Sequence, residues 1–326
     1  MLSFKRNYFV NLHYQKHNMT NPLFYAKILL FGEYGIIEDS QGLTLPYSFY
    51  KGTLKFSELD NDFEKKSNQS LEKYSNYLLD LQLPSEYKLD VSSFKDDIAK
   101  GLFFDSNIPQ GYGVGSSGAL VAAIFEKYSF TKREPDTISK NELKDLKMIF
   151  GQLESYFHGK SSGIDPLICF MNLPILIASK DSVDKVSIPA EELGKGAIFL
   201  IDSGTIGETG PMIQIFFEKL KNEGFRKTLK KELIRYNIAC IDAFLRKDMN
   251  PFFKNLKKLS VWAYEHFRPM IPENLFNIWK KGIDSNAYYL KLCGSGGGGY
   301  ILGFSKDYEK AEKMLEGFHK EVTYRF

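Results

Sequence analysis

The chain of 326 residues contains few cysteines, few histidines and almost no excess of either charge. Cys169, Cys240 and Cys293 are odd in number and far apart, so the sequence favours neither a disulfide framework nor a zinc site. The five histidines lack metal-ligand spacing. The chain has 43 basic and 40 acidic residues, so its net charge is only +3, and a general nucleic-acid binder is not expected.

The sequence also lacks any window of roughly 18 uninterrupted apolar residues, the length that a membrane span requires. The N-terminal segment carries Lys5, Arg6 and Lys16 without a sustained apolar run, which is not typical of a secretory signal. We expect residues 1–18 to be an extension beyond the folded domains. A chain of this length can bury a large core in two domains, and its composition favours a soluble enzyme. We expect the protein to be cytoplasmic and either a monomer or a homodimer.

A glycine-rich loop is the most informative feature that the chain does contain. Residues 109–118 are Pro-Gln-Gly-Tyr-Gly-Val-Gly-Ser-Ser-Gly, and an apolar, helix-like stretch follows at 119–125. Such a loop exposes backbone N–H groups, and the helix start adds unsatisfied donors and the positive end of its dipole. Together these groups favour phosphate, so the loop predicts ATP binding. The residues expected to bind ATP are Gly111, Gly113, Val114, Gly115, Ser116, Ser117 and Gly118.

Two other phosphate-binding loops have similar glycine patterns. Gly113, Gly115 and Gly118 satisfy G-x-G-x-x-G, but a dinucleotide-binding fingerprint requires a buried strand directly before it, and Phe104–Pro109 is a poor central strand. The Walker A pattern G-x-x-x-x-G-K-[S/T] does not occur in the sequence. From this segment alone, an ordinary glycine-rich turn before a core helix remains an alternative.

A helix with a buried-type apolar stripe is predicted over 143–157. Ser139 and Glu142 fit a capping box at its start, and Gly159 is a typical residue to end it. Glu154 lies near the end of this helix. Asp165, followed by Pro166, is predicted to cap the next helix, where the dipole favours the ionised carboxylate; an ordinary structural cap is the alternative.

Four segments together resemble a known family. Residues 25–37, 109–117 and 291–300 are similar, in order and spacing, to the three motifs of the GHMP kinases, which phosphorylate galactose, homoserine, mevalonate and phosphomevalonate. The segment 154–165, Glu-Ser-Tyr-Phe-His-Gly-Lys-Ser-Ser-Gly-Ile-Asp, resembles the E-x-x-x-H-G-x-x-S-G-x-D signature of the mevalonate kinases. The resemblance implies an α+β, two-domain fold. It comprises an N-terminal ribosomal-S5-domain-2-like domain (1–193) and a C-terminal ferredoxin-like domain (194–326), with the active site in the cleft.

The resemblance also implies roles for individual residues. Phosphoryl transfer requires positioning and neutralisation of charge, and Mg²⁺ prefers oxygen ligands. Ser117 and Glu154 would bind the Mg²⁺ that accompanies ATP, and Asp165 would accept or orient the proton of the substrate alcohol. Lys27 would lie beside Asp165 and keep it ionised, although a lysine in an apolar strand is usually an edge or surface residue. His158 belongs to the signature and is expected to be structural.

Further residues are expected to bind substrate or to form loops around it: Glu33, Tyr34, Thr209, Gly296 and Gly297. Several positions depart from the family pattern. Tyr25-Ala26 replaces the usual Pro-Gly, Tyr34 stands where mevalonate kinases commonly have histidine, and Gly210 stands where a basic residue often follows the threonine. For Thr209 a polar turn is the alternative, and for the glycines at 294–299 a flexible hairpin is the alternative.

The function implied is ATP- and Mg²⁺-dependent phosphorylation of the primary alcohol of mevalonate. A phosphomevalonate kinase or another GHMP kinase is the first alternative, since the Gly-Glu-Tyr string at 32–34 and Gly118 also resemble phosphomevalonate kinases. A catalytically silent sensor with this fold and a related decarboxylase are further alternatives.

Strands and helices mix in this sequence without a strict βαβ rhythm, which favours the α+β class. The predicted strands are 24–31, 43–56, 174–178, 197–202, 287–292 and 299–304. The predicted helices are 70–81, 93–100, 117–128, 139–158, 212–222, 226–247, 252–266, 273–281 and 307–318. The polar segment 61–75 is expected to be a surface loop that runs into the first helix.

Overall fold

The computed structural model of the protein describes residues 21–326, so the expected extension at 1–18 lies outside the described residues. The strands are β1 (Phe24–Phe31), β2 (Gly42–Phe56), β3 (Leu102–Ser106), β4 (Ile175–Ser179), β5 (Ser182–Lys185), β6 (Ala197–Asp202), β7 (Tyr289–Leu292), β8 (Tyr300–Ser305) and β9 (Lys320–Arg325). The helices are α1 (Asp62–Asp80), α2 (Val91–Ala99), α3 (Ser116–Tyr128), α4 (Lys140–His158), α5 (Ile164–Met171), α6 (Thr209–Leu220), α7 (Glu223–Thr228), α8 (Ile234–Leu245), α9 (Met249–His266), α10 (Glu273–Ser285) and α11 (Tyr308–Met314). This mixture of helices and antiparallel sheets confirms the α+β class.

The first sheet has the order β1-β2-β4-β5, with β3 also paired to β2. Helices α3 and α5 pack against β1 and against each other. The edge of β1 that does not pair with β2 receives the glycine-rich loop, because the Lys27 N–H donates to the Val114 carbonyl at 2.9 Å. Strand β1 thus brings a lysine directly beneath the predicted ATP loop.

The second sheet has the antiparallel order β7-β8-β6-β9. Its inner strands are almost fully apolar, as expected for strands buried on both faces. Helices α9 and α10 pack on β7. The hairpin between β7 and β8 contains the glycine run at 294–299, which we call the third glycine motif. It lies at the end of the sheet that faces the predicted ATP loop at 109–118.

Helix α4 follows the sequence prediction closely. The Ser139 side chain accepts from the Glu142 N–H while the Glu142 carboxylate accepts from the Ser139 N–H, which is the predicted capping box. Gly159 ends the helix with φ 71°. The apolar stripe Leu143, Leu146, Phe150 and Leu153 is buried. The end of α4 therefore fixes the position of Glu154 in the fold.

Several elements differ from the prediction. Helix α1 begins at Asp62, with Asn61 capping the Glu64 N–H, whereas a loop was expected. Its buried residues begin only at Leu71, so the first half has no apolar periodicity to detect. Strands β3, β5 and β9 were not predicted; β9 is only half-buried along most of its length, which weakens the alternation signal. The single helix expected over 226–247 is divided by a π-helical turn at Leu229–Leu233.

The strands of the first sheet end at Lys185 and those of the second begin at Ala197. The domain boundary near residue 193 falls between them and stays a prediction. No helix among residues 21–326 has the length and apolar character needed to cross a membrane.

Candidate active site

The glycine-rich loop has a conformation that depends on glycine. Gly111, Gly113 and Gly115 have φ values of 76°, 78° and 81°, in the left-handed region that other residues adopt at a cost. Gly115 is the N-cap of α3 and offers no side chain to cap it. Neither Ser116 nor Ser117 serves as the cap, and the first N–H groups of this 13-residue helix remain available to an anion.

Ser117 and Glu154 meet at the start of α3, although they are 37 residues apart in the sequence. The Ser117 hydroxyl donates to Glu154 Oε1 at 2.9 Å, and Ser161 Oγ donates to Glu154 Oε2 at 2.5 Å. Glu154 is only 3% exposed. Burial, and then the negative charge of Asp165, raise the pKa of Glu154 to about 7.

The donor set around Glu154 fits Mg²⁺. It consists of a carboxylate and a hydroxyl, both hard oxygen ligands, and a cation there would offset the burial of the Glu154 charge. Residues 21–326 hold no cluster of three or more His, Cys, Asp or Glu side chains with metal-binding geometry. Magnesium is commonly bound by one or two protein ligands together with phosphate oxygens and water, so two protein oxygens are sufficient.

Lys27 and Asp165 form an ion pair of 2.9 Å between Nζ and Oδ2. The lysine side chain is 5% exposed and the aspartate side chain 36% exposed, so the carboxylate is reachable from the cleft. Burial lowers the pKa of Lys27, but the charge and hydrogen bond of Asp165 outweigh it, and the net pKa is raised above 10.5. Lys27 is therefore a buried cation that pairs with the Asp165 carboxylate, and it is not a surface residue.

Asp165 lies two residues further into its helix than predicted. Gly163, with φ 73°, is the N-cap of α5, and Asp165 is the second residue of the first turn. A Cβ on Gly118 would lie 2.7 Å from the backbone carbonyl carbon of Asp165, so α3 and α5 approach closely only because residue 118 is glycine. This approach brings the loop and the Asp165 carboxylate together.

Two residues of this cluster were not predicted to take part in it. Ser161 donates to Glu154, and His158 Nε2 lies 2.9 Å from the Ser117 hydroxyl. Burial lowers the pKa of His158. Both residues lie in the segment 154–165, and this was the available signal. The polar residues of a short connection between two helices lie close together.

The third glycine motif packs against the ATP loop, backbone to backbone. A Cβ on Gly113 would lie 2.5 Å from the Cys293 carbonyl oxygen, and one on Gly299 would lie 2.5 Å from Tyr112 Cα. The Gly207 N–H donates to the Gly111 carbonyl at 3.0 Å, which adds a third segment to the contact. The hairpin therefore packs closely against the loop at 109–118 and the segment at Gly207.

Gly296 and Gly297 belong to the same hairpin but contact residues outside the loop at 109–118. Gly297 N–H donates to the Met270 carbonyl at 2.7 Å. A Cβ on Gly296 would lie 2.5 Å from the same carbonyl oxygen, and one on Gly297 would lie 2.8 Å from Met212 Sδ. These contacts fix the hairpin to the C-terminal side of the cleft. They do not involve the loop at 109–118.

Tyr34 and Thr209 both reach the hairpin at Ser295. The Tyr34 ring packs between Phe216 and Phe267, with centroid distances of 4.6 and 4.9 Å. Its hydroxyl donates to the Ser295 carbonyl at 2.5 Å, so it is already engaged by the protein. Ser295 Oγ donates to Thr209 Oγ1 at 3.4 Å. Ser295 is a residue of the cleft that sequence reasoning did not single out.

Glu33 is buried and pairs with Lys291 of β7, another residue that the sequence analysis did not single out. Burial raises the pKa of Glu33, and the charge of Lys291 opposes that rise. A lone lysine in an apolar strand directly before a glycine motif was the available signal. Lys27, by contrast, was singled out by the family resemblance, against the usual surface position of a lysine in an apolar strand.

Comparison with known proteins identifies the architecture. The model described as "GHMP kinases N terminal domain" matches residues 81–172, and the model described as "GHMP kinases C terminal" matches residues 240–323. The chain belongs to the GHMP kinase family. The two-domain fold of this family, predicted from the motifs, is confirmed for this member. No curated protein sequence matches it.

Solved structures of other GHMP kinases share the fold at low sequence identity. L. major mevalonate kinase in complex with R-mevalonate is 12% identical, with a TM-score of 0.62 over 94% of this chain and 97% of the other. Streptococcus pneumoniae phosphomevalonate kinase in complex with phosphomevalonate and AMPPNP is 13% identical, with a TM-score of 0.63 over 93% and 100%. Lactococcus lactis galactokinase complexed with galactose is 12% identical, with a TM-score of 0.55 over 93% and 92%.

Proposed function

We propose that this GHMP kinase transfers the γ-phosphoryl group of ATP to the primary alcohol of mevalonate. The observation that carries the proposal is the position of the Lys27–Asp165 ion pair, beside a glycine-rich helix start and a Ser117–Glu154 oxygen pair. One group of residues suits a triphosphate and its metal ion, and the other suits an alcohol. Their closeness matches the need of phosphoryl transfer for positioning and charge neutralisation.

The loop residues Gly111, Gly113, Val114, Gly115, Ser116, Ser117 and Gly118 would hold the triphosphate through backbone N–H groups and the start of α3. Ser117 and Glu154 would hold Mg²⁺, which when bound neutralises the charge on the β- and γ-phosphates. Ser161 and His158 would keep these two ligands oriented, as outer partners of metal ligands commonly do.

Asp165 would accept the proton of the substrate alcohol. As the alcohol oxygen forms its bond to the γ-phosphorus, the bond from that phosphorus to the β–γ bridging oxygen breaks, and ADP carries away the electron pair. Lys27 would hold Asp165 as an anion and stabilise the negative charge that develops on the alcohol oxygen. Both groups act at the acceptor, so their loss should affect turnover more than ATP binding.

Phosphomevalonate is the second candidate acceptor. The sequence string at 32–34 and Gly118 favour it, and the Streptococcus pneumoniae phosphomevalonate kinase has the same fold. A second phosphate on the acceptor would require additional cationic groups, and residue 210, where a basic residue often occurs in the family, is glycine. The segment 154–165, which resembles the signature of the mevalonate kinases, favours mevalonate.

A catalytically silent protein with this fold is the alternative from another class. It would have no need to keep the Lys27–Asp165 and Ser117–Glu154 pairs, both of which are complete in this chain. We further propose that the protein is cytoplasmic and acts as a monomer or a homodimer.

A substrate panel with an ADP-coupled assay tests the proposal. The purified protein with ATP and Mg²⁺ should phosphorylate mevalonate faster than phosphomevalonate, galactose or homoserine. A faster reaction with phosphomevalonate would establish the second candidate. ATP binding without turnover of any acceptor would favour the silent protein.

A further inference from the structure

The ATP loop alternates glycines with two larger residues, and these two contact different sheets. Residues 111–115 are Gly-Tyr-Gly-Val-Gly, so Tyr112 and Val114 carry the only side chains of this stretch. Val114 is 1% exposed, and its carbonyl accepts from the Lys27 N–H of β1. The Tyr112 carbonyl accepts from the Tyr300 N–H of β8 at 3.4 Å. The loop therefore has one anchor on each sheet.

Tyr300, the first residue of β8, is the centre of the second anchor. Its ring packs edge-to-face on the Tyr112 ring, with centroids 5.0 Å apart and planes at 66°. Its hydroxyl shares a hydrogen bond with the Tyr50 hydroxyl of β2, and the rings of Tyr50 and Tyr300 stack with centroids 6.3 Å apart. Tyr300 is 4% exposed, so little water competes for these contacts. One side chain thus joins the ATP loop to both sheets.

The loop needs side-chain anchors because its glycines do not fix its conformation. Gly111, Gly113 and Gly115 have φ values between 76° and 81°, and glycine adopts positive and negative φ about equally readily. A stretch with three such residues has many alternative conformations, and ordering it costs conformational entropy. An edge-to-face aromatic pair offsets part of that cost, and it corresponds to a factor of roughly two to ten in an equilibrium constant.

We infer that Tyr300 is a positioning residue, which holds the ATP loop in its binding conformation before ATP arrives. Its ring fixes Tyr112, and its hydrogen bond to Tyr50 fixes that ring relative to the first sheet. Tyr300 acts through Tyr112 and does not touch the nucleotide. Without Tyr300, the loop would occupy the binding conformation for a smaller fraction of the time, and the apparent Kd for ATP would rise by the same factor. This role rests on the proposed binding of ATP by residues 109–118.

Tyr300→Leu removes the ring and the hydroxyl together. The Kd for ATP, measured by isothermal titration calorimetry without an acceptor, should rise by roughly three- to tenfold, the factor that corresponds to one aromatic pair. The kcat at saturating ATP should stay close to the wild-type value, because Lys27 and Asp165 at the acceptor are untouched. Tyr324→Leu is the matched control. Tyr324 belongs to β9 of the same sheet, is 5% exposed and donates to the Pro189 carbonyl at 2.8 Å. Its loss should lower the free energy of unfolding without changing the Kd for ATP.

A double-mutant cycle tests the bond between the two hydroxyls. Tyr50→Phe and Tyr300→Phe each keep the ring but leave the partner hydroxyl without its hydrogen bond. Each should raise the Kd for ATP by a smaller factor than Tyr300→Leu, and the double variant should match the single ones because the two hydroxyls act as a unit. Effects that multiply in the double variant, or the absence of any effect in all three, would overturn the inference. This cycle remains decisive if Tyr300→Leu does not fold.

Amide hydrogen exchange follows the loop without nucleotide or acceptor. The Gly207 N–H donates to the Gly111 carbonyl at 3.0 Å, so its exchange rate reports whether the loop stays in place. The rate should rise in Tyr300→Leu and stay unchanged in Tyr324→Leu.

Two mixed results would also overturn the inference. A raised Kd with unchanged Gly207 exchange would mean that Tyr300 touches ATP directly. Faster exchange with an unchanged Kd would mean that ATP does not depend on this loop conformation. If the wild-type protein binds no ATP or phosphorylates no alcohol, the proposed function fails, whereas the exchange rate still decides whether Tyr300 holds the loop.

Discussion

Replacing Gly113 by alanine should separate the ATP loop from the third glycine motif. Gly113 has φ 78°, and an alanine Cβ would lie 2.5 Å from the Cys293 carbonyl oxygen, where ordinary contact begins at 3.4 Å. The neighbour is backbone, not a flexible side chain, so the strain can be relieved only if one loop moves away from the other. In the proposed function, ATP binding depends on the loop that would move.

The expected magnitude has two parts. A left-handed conformation costs a residue with a Cβ about 1–2 kcal/mol. The overpacked contact adds about 1–3 kcal/mol, the usual cost of extra atoms in a well-packed place. If the second part is lost from ATP affinity instead of folding, the Kd for ATP rises by roughly 5- to 150-fold, since about 1.4 kcal/mol is a factor of ten.

Gly317→Ala is the matched control. Gly317 has φ 89° and no atom within 4 Å of the position of an added Cβ, and it lies between α11 and β9. It should show the conformational cost alone, with unchanged ATP affinity. Urea unfolding gives the free energy of unfolding of both variants, and isothermal titration calorimetry gives the Kd for ATP. Equal losses of stability and equal affinities in the two variants would refute the close contact between the two glycine loops.

Four further predictions concern three side chains. Asp165→Asn should lower kcat by roughly 10²-fold or more while ATP still binds, because the alcohol loses its proton acceptor; near-normal turnover would remove Asp165 from the mechanism. Glu154→Gln should raise the Mg²⁺ concentration needed for half-maximal rate, and an unchanged requirement would contradict its role as a ligand. In metal-free buffer, the folded protein binds a proton at Glu154 more tightly than the unfolded chain does, because the pKa is raised from 4.5 to about 7. The resulting stabilisation is fully present below pH 4.5 and should be lost as the pH rises through 7. In Glu154→Gln, the free energy of unfolding should therefore change less with pH over this range. Ser139→Ala should lower the free energy of unfolding by about 1 kcal/mol through loss of the α4 capping box, without changing kcat.

The features that the sequence predicted well are local ones. The capping box at Ser139 and Glu142, the stop at Gly159 and the start of α3 after Gly115 depend on residues within one or two helical turns. The three glycine motifs also identified the family and its two-domain fold before any contact was known. Helix α1 was predicted short because its first half is solvated, so its residues carry no periodic apolar signal.

Sequence motifs also named the residues of the candidate site, but not the atoms that each would contact. Tyr34 was expected to bind substrate or to form a loop around it, and its ring packs between Phe216 and Phe267 while its hydroxyl donates to Ser295. These partners are about 180 or more positions away in the chain. No periodicity or spacing within the first motif could indicate them.

By itself, then, the sequence determined the backbone requirements of this protein: glycines where the chain turns left-handed, caps where helices begin, and a lysine and a carboxylate in motifs of one family. Only the tertiary structure decided that Gly113 lies against Cys293 and that Glu33 pairs with Lys291. Local conformational preference is encoded within a few residues. The pairing of charges across a cleft depends on how the two sheets pack, and that packing brings together residues more than 150 positions apart.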